Sequence, residues 1–372
     1  MMCGPDRGPP TGGDPMKKRD FVRAGALGTL ALGAAASAHA QQTGPSYAWK
    51  MATGWPGGPL MDVGAKLFAE RMDQFSGGRF KIQVFPGGAL GNALKVPETV
   101  KNGLAECGHT WMGYDWGKDP TTVLFGGYAG SFDTERMLHW LYEGGGVQLQ
   151  RRFRDESEGI VSMPLFIRTA EIFVHSRKPV KSLADLKGLK LRTAGAWLEM
   201  AKDLGAAPVT TAGGDVYPML ERGAIDATEW GTAWENISPG FHKVARYLSY
   251  PGVHQPTAPF ELAINKEAWG KMPAADQRMV ELVAKLVTFE SWLRIGAEDA
   301  KAFDFYKKQG VTIIELDDEV QFAARKIGLD WADKTVKEGK FKWFGEVHKS
   351  LTEFDKAWLE ADDWRKVKVK RS

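Results

Sequence analysis

The sequence predicts an α/β protein in which two lobes are joined by crossing strands and followed by a long C-terminal helical segment. Three observations carry this expectation. Residues 47–84 read as strand, glycine-rich turn, helix and strand, the opening of a βαβ unit and so of a parallel or mixed sheet. From about Met163 short strands and helices alternate a second time. After Pro259 the chain returns to strand, and long helical segments follow.

Each element has a local reason. Tyr47 to Met51 forms a first strand that ends at Gly54-Trp55-Pro56-Gly57-Gly58. Val63, Leu67, Phe68, Met72 and Phe75 then recur at helical spacing over residues 60–75, and Gly77-Gly78 stops the helix. Phe80, Ile82 and Val84 alternate with Lys81 and Gln83, a strand of period two. The loop Pro86-Gly87-Gly88-Ala89-Leu90-Gly91 lacks the Gly-Lys-Ser/Thr ending of a phosphate-cradling loop, so turn chemistry accounts for its glycines.

In the second series Ile172, Phe173 and Val174 are strand-like. Ser182-Leu183-Ala184-Asp185 has the capping-box form of a short helix closed by Gly188. Leu189 to Arg192 alternates as a strand, residues 197–204 read as a helix, 209–211 as a strand and 215–222 as a helix ended by Gly223. Residues 225–229 make one more short strand. Phe260 to Ile264 is the returning strand, and helices cover residues 274–309 and then 318 to the tail. The lobes divide as residues 41–167 with about 259–300, and 168–258 with about 301–372. Ligands in open α/β sheets lie beyond the carboxyl ends of the strands, so a cleft between the lobes is the expected site.

Composition removes whole classes of function. The 49 Lys and Arg against 46 Asp and Glu leave a formal charge of +3, too little to drive nucleic-acid binding. Two cysteines, Cys3 and Cys107, cannot build a disulfide scaffold. Lys17-Lys18-Arg19-Asp20-Phe21-Val22-Arg23, an apolar run over residues 24–38 and Ala38-His39-Ala40 form an export signal over residues 1–40, of secretory or twin-arginine type. Residues 1–15, rich in Gly and Pro, read as a non-native or upstream extension. Removing the signal takes five basic and three acidic side chains, which leaves a near-neutral exported chain. A periplasmic enzyme and a periplasmic binding protein both fit.

The seven histidines are scattered, and no His-x-x-x-His pair or Gly-x-Ser-x-Gly elbow is present. Two strand ends carry the positive signals. Arg192 closes its strand; a guanidinium can hold a carboxylate through two parallel hydrogen bonds, or Lys190 and Arg192 simply line a solvated face. Glu229-Trp230 closes another, either as a ligand-binding acid beside a covering indole or as a surface acid beside a buried ring. Trp140, Trp269, Trp292 and Trp331 read as core, and Trp55 as a possible pocket residue.

Residues 182–192, Ser-Leu-Ala-Asp-Leu-Lys-Gly-Leu-Lys-Leu-Arg, resemble the signature stretch of TRAP-transporter solute-binding proteins of the DctP type. So do Leu204-Gly205-Ala206-Ala207-Pro208-Val209, Gly213-Gly214-Asp215-Val216-Tyr217 and residues 221–230. Trp116-Gly117-Lys118-Asp119-Pro120, Leu141-Tyr142-Glu143-Gly144-Gly145-Gly146 and Tyr250-Pro251-Gly252-Val253-His254 are similar to the branch that binds 2-oxo and 2-hydroxy monocarboxylates. The resemblance runs from about Tyr47 to Glu338. It implies a two-lobed periplasmic solute-binding (Venus-flytrap) fold, with Arg192 clamping the substrate carboxylate and Tyr114 and Trp116 as aromatic wall. Glu229 and the backbone of Trp230 match positions that hold a metal ion, sodium or calcium, bridging to the substrate.

Two departures accompany it. Arg168 falls at or near a glutamine of the branch that helps ligate the metal, and Gln255 follows His254 where the branch has an acid. An arginine offers no lone pair to a metal. The departure is therefore read as a metal-free site in which Arg168 pairs with Glu229 and a ligand oxygen, so that no cofactor is required. The alternative is a slip of one or two positions that leaves Arg168 on the surface. The implied function is capture of a small organic acid and its delivery to a separate membrane permease. Two other functions stay open: an enzyme with Glu229 as general base, and a sensory binding protein. The segment from Trp343 to Leu359 reads as an amphipathic helix able to pack across both lobes or to form a homodimer, and residues 366–371 as a solvated tail.

Overall fold

Tyr47, Trp49 and Phe80 pack together at the start of the fold: Tyr47 stacks on Phe80 with ring centroids 4.4 Å apart, and Trp49 meets Phe80 edge-on at 4.7 Å. Burying this aromatic face sets the first strand pair in register: β1 (Tyr47–Thr53) runs parallel to β2 (Phe80–Phe85), with Tyr47 opposite Phe80. The computed structural model describes residues 44–365. The signal segment 1–40, Cys3 and the basic tail 366–371 lie outside the described residues.

Between β1 and β2 a wide-turned helical segment, Met61–Lys66, continues into α1 (Leu67–Phe75), as the 60–75 periodicity predicts. The turn at 86–91 follows β2 and leads to no helix start. The chain then runs through α2 (Val96–Lys101), β3 (Cys107–Thr110), α3 (Thr121–Gly126), α4 (Thr134–Glu143), α5 (Gly146–Glu158) and β4 (Ile160–Arg168). Every residue of β4 is buried, because α5 and a later helix cover its two faces.

The second series comprises β5 (Val174–Ser176), α6 (Leu183–Leu186), β6 (Lys190–Arg192), α7 (Trp197–Asp203), β7 (Ala207–Val209), α8 (Gly213–Glu221), β8 (Ala227–Thr228) and β9 (Tyr247–Tyr250). The capping box of α6 forms as its sequence predicts, with Ser182 and Asp185 exchanging backbone hydrogen bonds. The strands expected at 209–211 and 225–229 are displaced or shortened, because pairing with β6 allows only residues 207–209 and 227–228 to join the ladder. The chain returns through β10 (Ala258–Asn265), α9 (Lys266–Gly270) and α10 (Ala274–Lys308), and ends with β11 (Thr312–Glu315), α11 (Asp318–Glu338) and α12 (Lys342–Arg365).

Two mixed sheets result, one in the order β2-β1-β3-β10-β4 and the other β11-β9-β5-β8-β6-β7. Residues 169–173 and 251–257 carry the chain between them. These crossing segments touch: Glu171 bridges Gly252 in antiparallel fashion, and the Glu171 N–H donates to the Gln255 carbonyl at 3.1 Å. A Cβ at position 252 would lie 2.2 Å from the Glu171 carbonyl oxygen, so only glycine permits this approach. The 35-residue α10 makes a third link, packing on β4 and α1 and then on β11. Beyond α10, β11 joins the second sheet and α11 packs on α7 and α12, whereas α12 also packs on α3, α4 and α5. Trp343, Phe344, Val347 and Leu351 are buried on that face of α12. No helix among the described residues is long and apolar enough to cross a membrane.

Candidate functional site

The crossing segments carry side chains to a point where strand ends of both sheets converge. From β4 and the first crossing come Arg168 and Glu171, and from the second crossing His254 and Gln255. The second sheet contributes Arg192 at the end of β6 and Glu229-Trp230 just beyond β8. The first sheet contributes Trp55, Trp111, Tyr114 and Phe260 as aromatic wall. Among the described residues, these line a single small cavity with Leu60 and Ala194. About 20 Å³ of it is open to the centre of a water-sized sphere, roughly the space of one water.

Arg192 is 2% exposed. It donates through Nη1 to the Glu229 backbone carbonyl at 3.2 Å and through Nη2 to the Thr211 carbonyl at 3.0 Å. Its contact with Glu229 Oε1 is long, 3.4 Å, and its Nε–H is buried without an acceptor. The Trp230 ring lies 5.3 Å from the guanidinium carbon. Glu229 Oε1 also accepts from the Ala194 N–H at 2.8 Å. The solvated-face reading of Arg192 and the surface reading of Glu229 are therefore both excluded.

Arg168 is buried rather than on the surface, and its partners differ from the expected one. It donates through Nη1 to Glu235 Oε2 at 2.7 Å and through Nη2 to Glu171 Oε1, not to Glu229. Phe260 lies 5.0 Å beneath it. The Arg168 carbonyl is held by the hydroxyls of Thr134 and Thr257, each at 3.0 Å. A Cβ at Gly231 would meet Glu235 Oε2 at 2.4 Å and Arg168 Nη1 at 2.9 Å, so the glycine after Trp230 makes room for this ion pair. Gln255 donates its amide to the carbonyls of Gly126 and Thr257, at 2.8 and 2.6 Å.

Trp116 does not reach the cavity; it packs against the core that contains Met112, Phe125 and Trp140. Trp111, five residues earlier, lines the cavity instead, and its indole donates to the Gly126 carbonyl at 2.8 Å. Glu171, Glu235 and Trp111 carry no local signal in the sequence. The one sequence signal at His254 is its place in the Tyr250–His254 stretch.

Glu171, Glu229 and His254 bring one ligand-capable atom each within 4.8 Å of one another. This buried trio joins Glu229 to Glu171 and His254, and Trp230 lines the same cavity. Charge is unevenly shared. Burial pushes the Glu171 carboxyl up, but Arg168 and the His254 imidazole 3.0 Å away outweigh it and bring it down to about 2. Burial and the neighbouring Glu171 push Glu229 up, and Arg192 offsets this only in part. Burial lifts Glu235 to about 7 despite Arg168. One guanidinium cannot neutralise two buried carboxylates, so one of its partners holds a proton more readily.

A carboxyl whose pKa rises on folding retains a proton that the unfolded chain has released. Its contribution is complete below about pH 4.5 and is lost as pH rises through about 7. Glu171, shifted downward, contributes fully above its ordinary range and is constant in that window. Wild-type protein is expected to lose about 2–3 kcal/mol between pH 5 and pH 8 on account of Glu235. Glu235→Gln, which cannot titrate, should show a flatter profile in urea unfolding at the two pH values, and an unchanged slope would refute the assignment.

The lining sets two guanidinium groups against two carboxylates within aromatic walls, and the unpaired Nε–H groups of Arg168 and Arg192 are donors that a small anion can take. Comparison with known proteins agrees with this chemistry. A family model described as DctP, bacterial extracellular solute-binding protein, family 7, matches residues 51–338. A monocarboxylate 2-oxoacid-binding periplasmic protein of Nostoc sp. is 29% identical over 355 residues, covering 94% of this chain and 97% of that one. Two solved structures superpose over 86% of this chain. One is a TRAP transporter solute-binding protein from Bordetella bronchiseptica, a mixed-occupancy dimer with copurified calcium and picolinate (TM-score 0.80, 28% identity, 96% of that chain). The other, from Pseudoalteromonas atlantica, holds sodium and pyruvate (TM-score 0.78, 27% identity, 98% of that chain).

Proposed function

The chain belongs to the DctP family of bacterial extracellular solute-binding proteins, and from that premise we propose that its cavity captures a small organic carboxylate of the 2-oxo or 2-hydroxy class for a membrane permease. The observation that carries this reading is the meeting of Arg192 and Arg168 in one small aromatic-walled cavity between two sheets. Arg192 is the carboxylate clamp. Its unpaired Nε–H and its long contact to Glu229 are the donors that a ligand carboxylate takes over. Trp230, Tyr114 and the other rings cover the apolar side of the ligand, and Gln255 holds the crossing segment.

Three links between the sheets, with Glu171 and Gly252 in contact at their centre, support opening and closing as rigid bodies around residues 169–173 and 251–257. The lobes of this reading form around the two sheets. Closure presents a composite surface, and the permease needs to favour only the loaded state. Export by the N-terminal signal belongs to the same reading. So does a homodimer through α12, whose Leu359 is 51% exposed; light scattering of the purified protein checks it.

Thermal unfolding against a panel of small acids tests the function. Pyruvate at a hundred times its Kd should stabilise the protein by about 2.7 kcal/mol, and succinate much less. Incubation with pyruvate or lactate should yield no product. Turnover would instead support an enzyme with Glu229 as general base, and failure of every acid to shift the transition would refute the carboxylate reading.

A further inference from the structure

We propose that the Arg168 guanidinium is the resident cation of this cavity: it occupies the carboxylate that a bridging metal would need, so the organic acid binds without calcium or sodium, and neutralising this one side chain opens the site to metal. The inference rests on the receptor reading above and concerns how the same cavity balances its charge.

The trio of Glu171, Glu229 and His254 has the spacing of a metal site, and two structures similar to this chain hold calcium or sodium together with their ligand. The donor accounting here argues against an ion of that kind. Glu171 Oε1 accepts from Arg168, and Glu171 Oε2 faces His254 Nε2 at 3.0 Å. Glu229 Oε1 accepts from the Ala194 N–H. Glu229 Oε2 lies 3.9 Å from His254 Nε2, and the Glu171 and Glu229 carboxyls also hydrogen-bond to one another. Calcium and sodium seek several hard oxygen ligands, whereas these two carboxylates already serve Arg168, His254, the Ala194 N–H and each other, and the third member is an imidazole.

Arg168 is also not free to withdraw. Glu235 holds its other terminal nitrogen at 2.7 Å, Phe260 packs beneath it, and two threonine hydroxyls hold its carbonyl. A guanidinium keeps its charge at every relevant pH and donates only. A metal ion among the trio would therefore bind through a carboxylate already committed to a fixed cation. The same guanidinium retains a buried, unpaired Nε–H and lines the cavity beside Arg192.

The experiment measures metal and ligand separately. Equilibrium dialysis with radioactive calcium should find no stoichiometric binding to the wild-type protein. Calorimetry should give pyruvate affinities within twofold of each other in chelated, sodium-free buffer, in sodium chloride and in calcium chloride. Arg168→Gln removes the charge, keeps the length and supplies an oxygen. It should bind pyruvate weakly without metal and at least tenfold more tightly with calcium. One calcium per wild-type chain, or a tenfold loss of pyruvate affinity when metals are withdrawn, overturns the proposal, as does an Arg168→Gln variant that folds but gains nothing from calcium. Where that variant does not fold, the two wild-type measurements decide. Pyruvate and picolinate failing to bind under every condition would count against the receptor reading, while the dialysis result still decides the role of Arg168.

Discussion

Arg192→Ala is expected to weaken pyruvate binding by a factor of about 10²–10³ in calorimetry, with the fold retained by circular dichroism. Two charge-assisted hydrogen bonds to a carboxylate in a dry site contribute roughly 1.5–3 kcal/mol each. Part of that is offset, because in the free protein the same guanidinium already serves Glu229 and Thr211. Arg192→Lys should recover only part of the loss: it keeps the charge but not the fork that grips two oxygens at once. The variant also leaves Glu229 without its guanidinium, so a modest fall in stability should accompany the loss of binding. An affinity within threefold of wild type in Arg192→Ala would remove Arg192 from the clamp role and leave Arg168 as the anion-binding group.

Arg154→Ala is expected to cost about 3–5 kcal/mol of stability in urea unfolding, the largest effect of any single substitution considered. Arg154 is 1% exposed and Glu261 is fully buried. The guanidinium donates to both Glu261 oxygens and to Asp115 at 2.8 Å, and Ser162 donates to Glu261 at 2.7 Å. Burial pushes the Glu261 carboxyl up, and Arg154 is the cation that opposes it. Without Arg154 a carboxylate stands unpaired in the middle of the first sheet. Replacing both partners with apolar residues, Arg154→Met with Glu261→Met, should cost far less, since the desolvation of two ions is then no longer required. Equal losses for the single and double variants would mean that packing, not charge, dominates there. The network also joins the turn that carries Tyr114 to β10, so a fall in ligand affinity is expected alongside the fall in stability.

Much of this architecture was legible from local chemistry. The β1–β2 pair was readable because one face alternates apolar and polar residues. The Ser182 cap was readable because a hydroxyl and a carboxylate three residues apart satisfy the same helix end. Arg192 and Glu229-Trp230 stood out because each closes a short strand bounded by glycines. The break between α11 and α12 lies at Gly339, which adopts φ of +62°, yet residues 318 to the tail read as one continuous helical stretch.

β4 was the main loss. Its nine residues are buried on both faces, so no polar–apolar alternation marks it, and Pro164 argues against a strand unless the strand lies at a sheet edge, as β4 does. With β4 unread, the position of Arg168 at its end could not be judged. The aromatic wall was misplaced for a related reason. Trp111 and Trp116 flank a tight turn, Met112–Asp115, and which indole points inward depends on the sheet it folds against.

Amino-acid order alone determined the α/β class, the two runs of strands and helices, and the presence of an arginine and an acid at strand ends. Only the tertiary structure decided which acid meets which arginine. Arg168 takes Glu171 and Glu235, 3 and 67 residues away, while Arg192 takes Glu229, 37 residues away. Coulombic attraction and desolvation depend on separation and burial in space, and the crossing segments set both. The charges were written in the chain; their pairing, and with it the choice between a metal ion and a guanidinium, came from the way two sheets are tied together.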